Sequence, residues 1–178
     1  MKPLTQLHCA CGKVRLDVEG APMVSLECCC NSCRAAADRL ERLAGAPAFR
    51  TDFGTTPYVL YRKDRVRFSS GMDQLREFRL SPTAGSRRIV AACCNTPVFL
   101  EFKGGHWLSL YGHLWPKGEC PPAKMRTMAG DLADRSVLPK DIPNLKAQSL
   151  GFFAMLFGAW VAMGFKAPKI PITGEINA

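Results

Sequence analysis

Cys28-Cys29-Cys30-Asn31-Ser32-Cys33-Arg34 places four thiols within six residues. Inside it, Cys28, Cys30 and Cys33 form C-x-C-x-x-C, a spacing that lets three sulfurs converge on one point. Upstream, Val24–Glu27 reads as a short strand. Downstream, Ala36, Leu40 and Leu43 share one face of a helical repeat from Arg34 to Ala44, with Asn31 or Ser32 available as its cap. Asp38 and Arg42 stand at i,i+4 on that helix, and Gly45 and Pro47 mark its end. The cluster itself is expected in a loop between strand and helix.

Two further cysteine groups lie far from it in sequence: Cys9-Ala10-Cys11-Gly12 and Cys93-Cys94-Asn95-Thr96-Pro97, with Cys120 alone. The total of nine is odd, so the cysteines cannot all pair. Met1 to His8 contains no apolar core of a secretory signal, so the expectation is a cytoplasmic protein with reduced thiols. In that setting clustered cysteines point to metal binding or catalysis. Four nitrogen or sulfur ligands in a tetrahedron suit zinc, and soft thiolates favour it over magnesium or calcium. The rivals are an iron–sulfur cluster and a set of reduced structural or redox-sensing thiols. The expected complement is one or two Zn2+ per chain.

Around the cysteines the pattern is β. Val14, Leu16 and Val18 alternate with Arg15, Asp17 and Glu19, the period of a half-buried strand. Residues 58–62 and 65–69 read as strands joined by a hairpin turn at Lys63-Asp64. Further strands are expected near 74–80, 87–92, 97–103 and 106–111, with Gly104-Gly105 turning between the last two. The fold class is therefore mainly β, with a short helix after the second cysteine cluster and a hydrophobic helix near the C-terminus. Four regions follow: a zinc-binding β domain at 1–115, an irregular extension at 116–148, the hydrophobic helix at 149–165 and a loose tail at 166–178.

The run from Ser149 to Phe165 carries no charge and sits between Lys146 and Lys166. Its length is at the lower limit for crossing a bilayer. Ala154, Gly158 and Ala162 recur every fourth residue, a stripe that admits close helix–helix approach. A homo-oligomer through this helix, and membrane association through it, are both open. Across the whole chain, 47% hydrophobic and 22% charged residues fit an ordinary globular protein, and the net charge of +9 attracts anions. Arg62, Lys63, Arg65 and Arg67, with Arg76, Arg79, Arg87 and Arg88, suit the carboxylates of glutathione, or phosphates. Readers of single-stranded nucleic acid pair basic grooves with exposed aromatics. Tyr58, Tyr61 and Phe68 occupy strand positions that read as core, so nucleic acid is the weaker expectation.

His8-Cys9-Ala10-Cys11-Gly12 before a strand, Cys28, Cys30 and Cys33 followed by Arg34, and then Gly85, Arg88, Cys94, Thr96 and Pro97 form an ordered set. Over about residues 8–102 this set resembles the glutathione-dependent formaldehyde-activating enzymes, a family that includes the centromere protein V type. The resemblance implies a β-tent fold with two zinc sites. A structural zinc would use Cys9 and Cys11 with the distant cysteine pair. A catalytic zinc would use Cys28, Cys30 and Cys33 and keep its fourth position open. The implied activity is that of a carbon–sulfur lyase of the S-(hydroxymethyl)glutathione synthase type, acting on glutathione or another thiol adduct of a small aldehyde. The alternative is a non-catalytic zinc-stabilised binding module. Three departures stand out. Ala91 occupies the place of the first cysteine in the family's C-x-x-C-G-T-P, and Asn95 replaces its glycine. The structural set is then Cys9, Cys11, Cys93 and Cys94, or three cysteines with His8 or His106. The stretch Ala35–Leu40 differs from the family's small polar segment, and the C-terminal third does not align.

Overall fold

A computed structural model describes residues 3–178. The chain is mainly β and forms two sheets. The smaller joins β1 (Leu4–His8), β2 (Arg15–Glu19) and β5 (Val66–Ser70) in the order β1-β2-β5. The larger contains β3 (Val24–Cys28), β4 (Thr56–Arg62), β6 (Leu75–Phe78), β7 (Ser86–Ala91), β8 (Thr96–Phe102), β9 (Trp107–Tyr111) and β10 (Arg126–Thr127). Its order is β10-β3-β4-β9-β8-β7-β6. Every pairing is antiparallel except β10 on β3.

The alternation in β2 puts Leu16 and Val18 into the core. In β4, by contrast, Tyr58, Val59, Leu60 and Tyr61 are all buried, because both faces of this central strand are covered. Gly104 (φ 74) turns the chain between β8 and β9, where the N–H of Gly105 donates to the carbonyl of Phe102 at 2.9 Å.

The Lys63-Asp64 hairpin does not form. β4 pairs with β3 and β9, whereas β5 pairs with β2. Residues Lys63–Arg65 make a 3-10 turn that carries the chain from one sheet to the other. The cause is the Lys63 side chain, which turns inward to Glu101 at 2.5 Å and donates to the carbonyl of Pro168 at 3.0 Å. β1 has no counterpart in the sequence reading, since Leu7 is its one fully buried side chain and one residue makes no period.

The first helix, α1 (Asn31–Leu40), begins and ends earlier than its apolar repeat suggests. Cys30, not Asn31 or Ser32, is the N-cap, and its sulfur accepts the N–H of Cys33 at 3.3 Å. The cluster therefore lies on a strand end and a helix start rather than in a free loop. The second helix, α2 (Leu150–Ala162), is capped by Ser149, whose hydroxyl accepts the N–H of Phe152 at 3.1 Å. Phe152, Leu156 and Met163 are buried beneath it, while Phe153, Phe157 and Trp160 are exposed. Ala154, Gly158 and Ala162 also face outward, so the small-residue stripe is not the docking face. No helix among the described residues is long and apolar enough to cross a membrane. Thirteen residues rise about 20 Å, against a hydrocarbon core of about 30 Å.

The C-terminal segment is not loose. The N–H of Glu77 donates to Gly174 (3.1 Å) and that of Ile176 to Glu77 (2.9 Å), so the segment lies parallel along the outer edge of β6. Ile170, Ile172 and Ile176 pack on the core, and Arg87 donates to the carbonyl of Ile170 at 2.8 Å. An unpaired edge strand is thereby covered. The extension at 116–148 is mostly irregular, as expected, but is pinned by Arg126. That side chain is buried and ion-paired to Glu27 (2.8 Å) and Asp141 (2.7 Å).

Glu101 is the shared acceptor for Lys63 (2.5 Å) and Arg87 (2.6 Å), and all three are largely buried. Replacing it by Ala leaves two cations without that partner and is expected to cost about 3–5 kcal/mol. Asp64→Ala, at a surface pair with Arg62, should cost no more than about 1 kcal/mol. Urea midpoints at constant slope check both values.

Candidate metal centre

The turn between β1 and β2 carries Cys9 and Cys11, and the turn between β7 and β8 carries Cys93 and Cys94. The four sulfurs lie within 4.8 Å of one another. The separations are 3.6 Å for Cys9–Cys11, 3.8 Å for Cys9–Cys93, 3.4 Å for Cys11–Cys93 and 3.8 Å for Cys93–Cys94. A tetrahedral thiolate site with bonds of about 2.3 Å has sulfur–sulfur edges of about 3.8 Å. The set therefore fits an ion of that size, and all nine cysteines are free thiols. Adjacent Cys93 and Cys94 both join the set, on a turn that ends at Asn95 in a left-handed backbone (φ 53), which asparagine tolerates better than most residues. The Asn95 side chain fixes that turn by donating to the carbonyl of Ala44 at 3.0 Å.

Neither histidine joins this set. His8 is exposed, its Nδ1 2.9 Å from the carbonyl of Cys9. His106 is buried under α2, with its ring stacked 6.0 Å from that of Trp160, and burial holds its pKa below the ordinary value. The donors around Cys94 already favour ionised sulfur. Burial pushes its thiol up, but the Thr96 hydroxyl at 3.0 Å, the Cys11 N–H and the neighbouring thiols outweigh this and hold it near pH 6, at about 6.

Cys28 ends β3, Cys30 caps α1 and Cys33 lies in its first turn, and these three sulfurs also lie within 4.8 Å of one another. Hydrogen bonds from the Cys28 and Cys33 thiols, then the Cys33 N–H and the charge of Arg88, hold the Cys30 thiol far below its ordinary value despite desolvation. A helix N-terminus adds to this by favouring negative charge. Cys29 points elsewhere. It is fully buried with Ala129 and Leu138, and desolvation, then the charge of Glu27, pushes its thiol up to about 11.

The three-sulfur set lines a cavity of about 690 Å³. Tyr58, Ser109 and Arg88 share that wall, and Phe152 and Leu156 of α2 close its outer side. The Tyr58 hydroxyl is 3.7 Å from the Cys33 sulfur; burial raises its pKa well above the ordinary value, so it remains a neutral phenol. The sequence reading placed Tyr58 in the core and missed its role in this wall. Nor did it connect α2 with the cysteines, because nothing local links residue 152 to residue 28. Cys120 joins neither set.

The chain matches no protein-family model and no curated protein. Among solved structures, a structural-genomics crystal structure of a Rhodobacter sphaeroides protein is similar, at 13% identity and a TM-score of 0.47. The likeness covers 79% of this chain and 99% of that one.

The geometry predicts different outcomes for neighbouring cysteines. Cys93→Ser should lower the bound metal by one equivalent per chain, read by elemental analysis. Cys29→Ala should leave the metal content unchanged.

Proposed function

We propose that this protein is a two-site zinc protein in which one site is structural and the other acts on a thiol. Cys9, Cys11, Cys93 and Cys94 would hold the structural ion, and Cys28, Cys30 and Cys33 the working one. The observation that carries this reading is the asymmetry between the sets. One supplies four sulfurs, whereas the other supplies three and borders a cavity of about 690 Å³. When bound there, zinc supplies a fourth position at which a substrate thiol is held as thiolate near neutral pH.

The reaction class that fits is carbon–sulfur bond formation and cleavage on a thiol adduct of a small aldehyde, the class implied by the resemblance to formaldehyde-activating enzymes. In the forward direction the sulfur bonds to the carbonyl carbon, and the C=O π pair moves to oxygen, which takes a proton. Tyr58, kept protonated by burial, would give that proton and regain one from solvent through the cavity, matching the proton the substrate thiol releases to solvent as it ionises; the reverse reaction runs these transfers backwards. The Arg88 cation lowers the cost of concentrating thiolate charge at Cys30 and Cys33.

The nucleic-acid reading draws less support, because Arg62, Arg65, Arg79 and Arg87 of the basic stretches are spent on carboxylates. A zinc-stabilised module without catalysis predicts metal-loaded protein with no thiol chemistry and a salt-dependent gel shift.

The test is turnover of S-(hydroxymethyl)glutathione by protein of known zinc content. Cys30→Ser should abolish it, and Tyr58→Phe should lower kcat about 100-fold with zinc retained. Equal rates for wild type and Cys30→Ser would remove the assigned role.

A further inference from the structure

Arg88 differs from the other buried arginines. It is 1% exposed on β7, yet no carboxylate among the described residues forms an ion pair with it. Arg87, beside it, pairs with Glu77 and Glu101, and Arg126 pairs with Glu27 and Asp141. Only one nitrogen of Arg88 is used, Nη2, which donates to the Ser32 carbonyl (3.1 Å) and hydroxyl (3.0 Å). Nε and Nη1 are buried without a well-formed hydrogen bond, and the groups that do come near the guanidinium, Tyr111, Tyr58 and the Cys33 sulfur, include no carboxylate. The cysteine charge offsets part of the cost of burying this cation, but Nε and Nη1 still lack close acceptors, and an anionic group entering the cavity could use them.

Arg88 lines the cavity beside the three sulfurs; most of the exposed wall is apolar, from Leu60, Leu100, Phe102, Trp107, Phe152 and Leu156, with Ser86, Ser109, Thr127 and Gln148 among them. The other ionic side chain on that wall is Asp131, whose carboxylate is engaged by the N–H of Asn31 at 2.9 Å. A free tripeptide thiol such as glutathione brings two carboxylates and an ammonium group. This wall offers one cation for the two carboxylates, so the second would enter without a charged partner. The cavity volume falls in the ordinary range for a small-molecule site, where apolar walls grip the body and a few polar groups orient it.

We propose that this cavity binds a ligand with an apolar aliphatic or aromatic body and a single anionic head, the head held by Arg88. This deepens the reading of the three-cysteine set as the working site by narrowing its substrate class to apolar thiol or aldehyde adducts bearing one acidic group. Arg88 is then a binding residue, and Phe152 and Leu156 select for the hydrocarbon body.

The experiment is calorimetric titration of the full chain with three probes: octanoate, octylamine and glutathione. Zinc content and melting temperature are measured on every sample. Octanoate is expected to bind, with glutathione at least 10-fold weaker and octylamine, which has the same body and the opposite charge, not detected. Arg88→Gln should weaken octanoate at least 10-fold, and Arg88→Lys should recover part of the loss. The comparison of probes on the wild-type protein needs no variant to fold. Equal binding of octanoate and octylamine, tighter binding of glutathione, or no octanoate binding would each overturn the proposal. Because octanoate has no thiol, its binding stands or falls apart from the zinc count and the turnover that test the lyase reading.

Discussion

The convergence of Cys9 and Cys11 with Cys93 and Cys94 is the constraint around which the rest of the molecule is arranged. The first pair belongs to the small sheet and the second to the large one, so an ion held by the four sulfurs would be a cross-link between layers. The two sheets also meet through side-chain packing, the passage of the chain between them, and hydrogen bonds such as that from the Ala10 N–H to the Thr96 hydroxyl at 3.1 Å. A bound ion would hold the turn after β7, which joins the paired strands β7 and β8. Arg88 is three residues from the end of β7, and its position against Ser32 and Cys33 follows from the register of that pair.

Buried charge is handled in two ways in this fold. On one side of the large sheet, Lys63, Glu101, Arg87 and Glu77 form a connected chain in which each charge has an opposite neighbour. Such chains cost desolvation but leave nothing uncompensated. Near the three-cysteine set the pattern changes: thiols face a guanidinium that has no carboxylate. That difference separates the part of the core that is finished from the part that is arranged for a visitor.

How much of this was legible in the sequence depended on range. Strand β2 shows its period locally, β3 and β7 to β9 are legible as short apolar runs, and the C-x-C and C-x-x-C spacings name their own members. The run 149–165 declares a helix, and Ser149 its start. The Lys63-Asp64 turn misled because two charged residues between apolar strands have the local look of a hairpin. Glu101, which draws Lys63 inward, lies 38 positions away. The isolation of Arg88 is a property of what neighbouring strands lack, and no window of sequence contains it. Cys93 and Cys94 are an intermediate case: the turn that carries them ends at a left-handed Asn95, which sits beside them but does not by itself demand that conformation.

The span between Cys9 and Cys93, 84 residues, also bears on how the chain reaches its native state. In the unfolded chain, Cys9-x-Cys11 and Cys93-Cys94 are two weak bidentate sites, each unable to complete a tetrahedron. Closing so long a loop costs chain entropy that grows only slowly with length, but it must be met before the full ligand set exists. The small sheet has the same character, since β5 joins β1 and β2 across an interval of some 50 residues. Such a topology of high contact order folds on the slow side of the range for its size. Metal uptake would then report late assembly rather than initiate it, and chelation would act mainly on chains that have already opened.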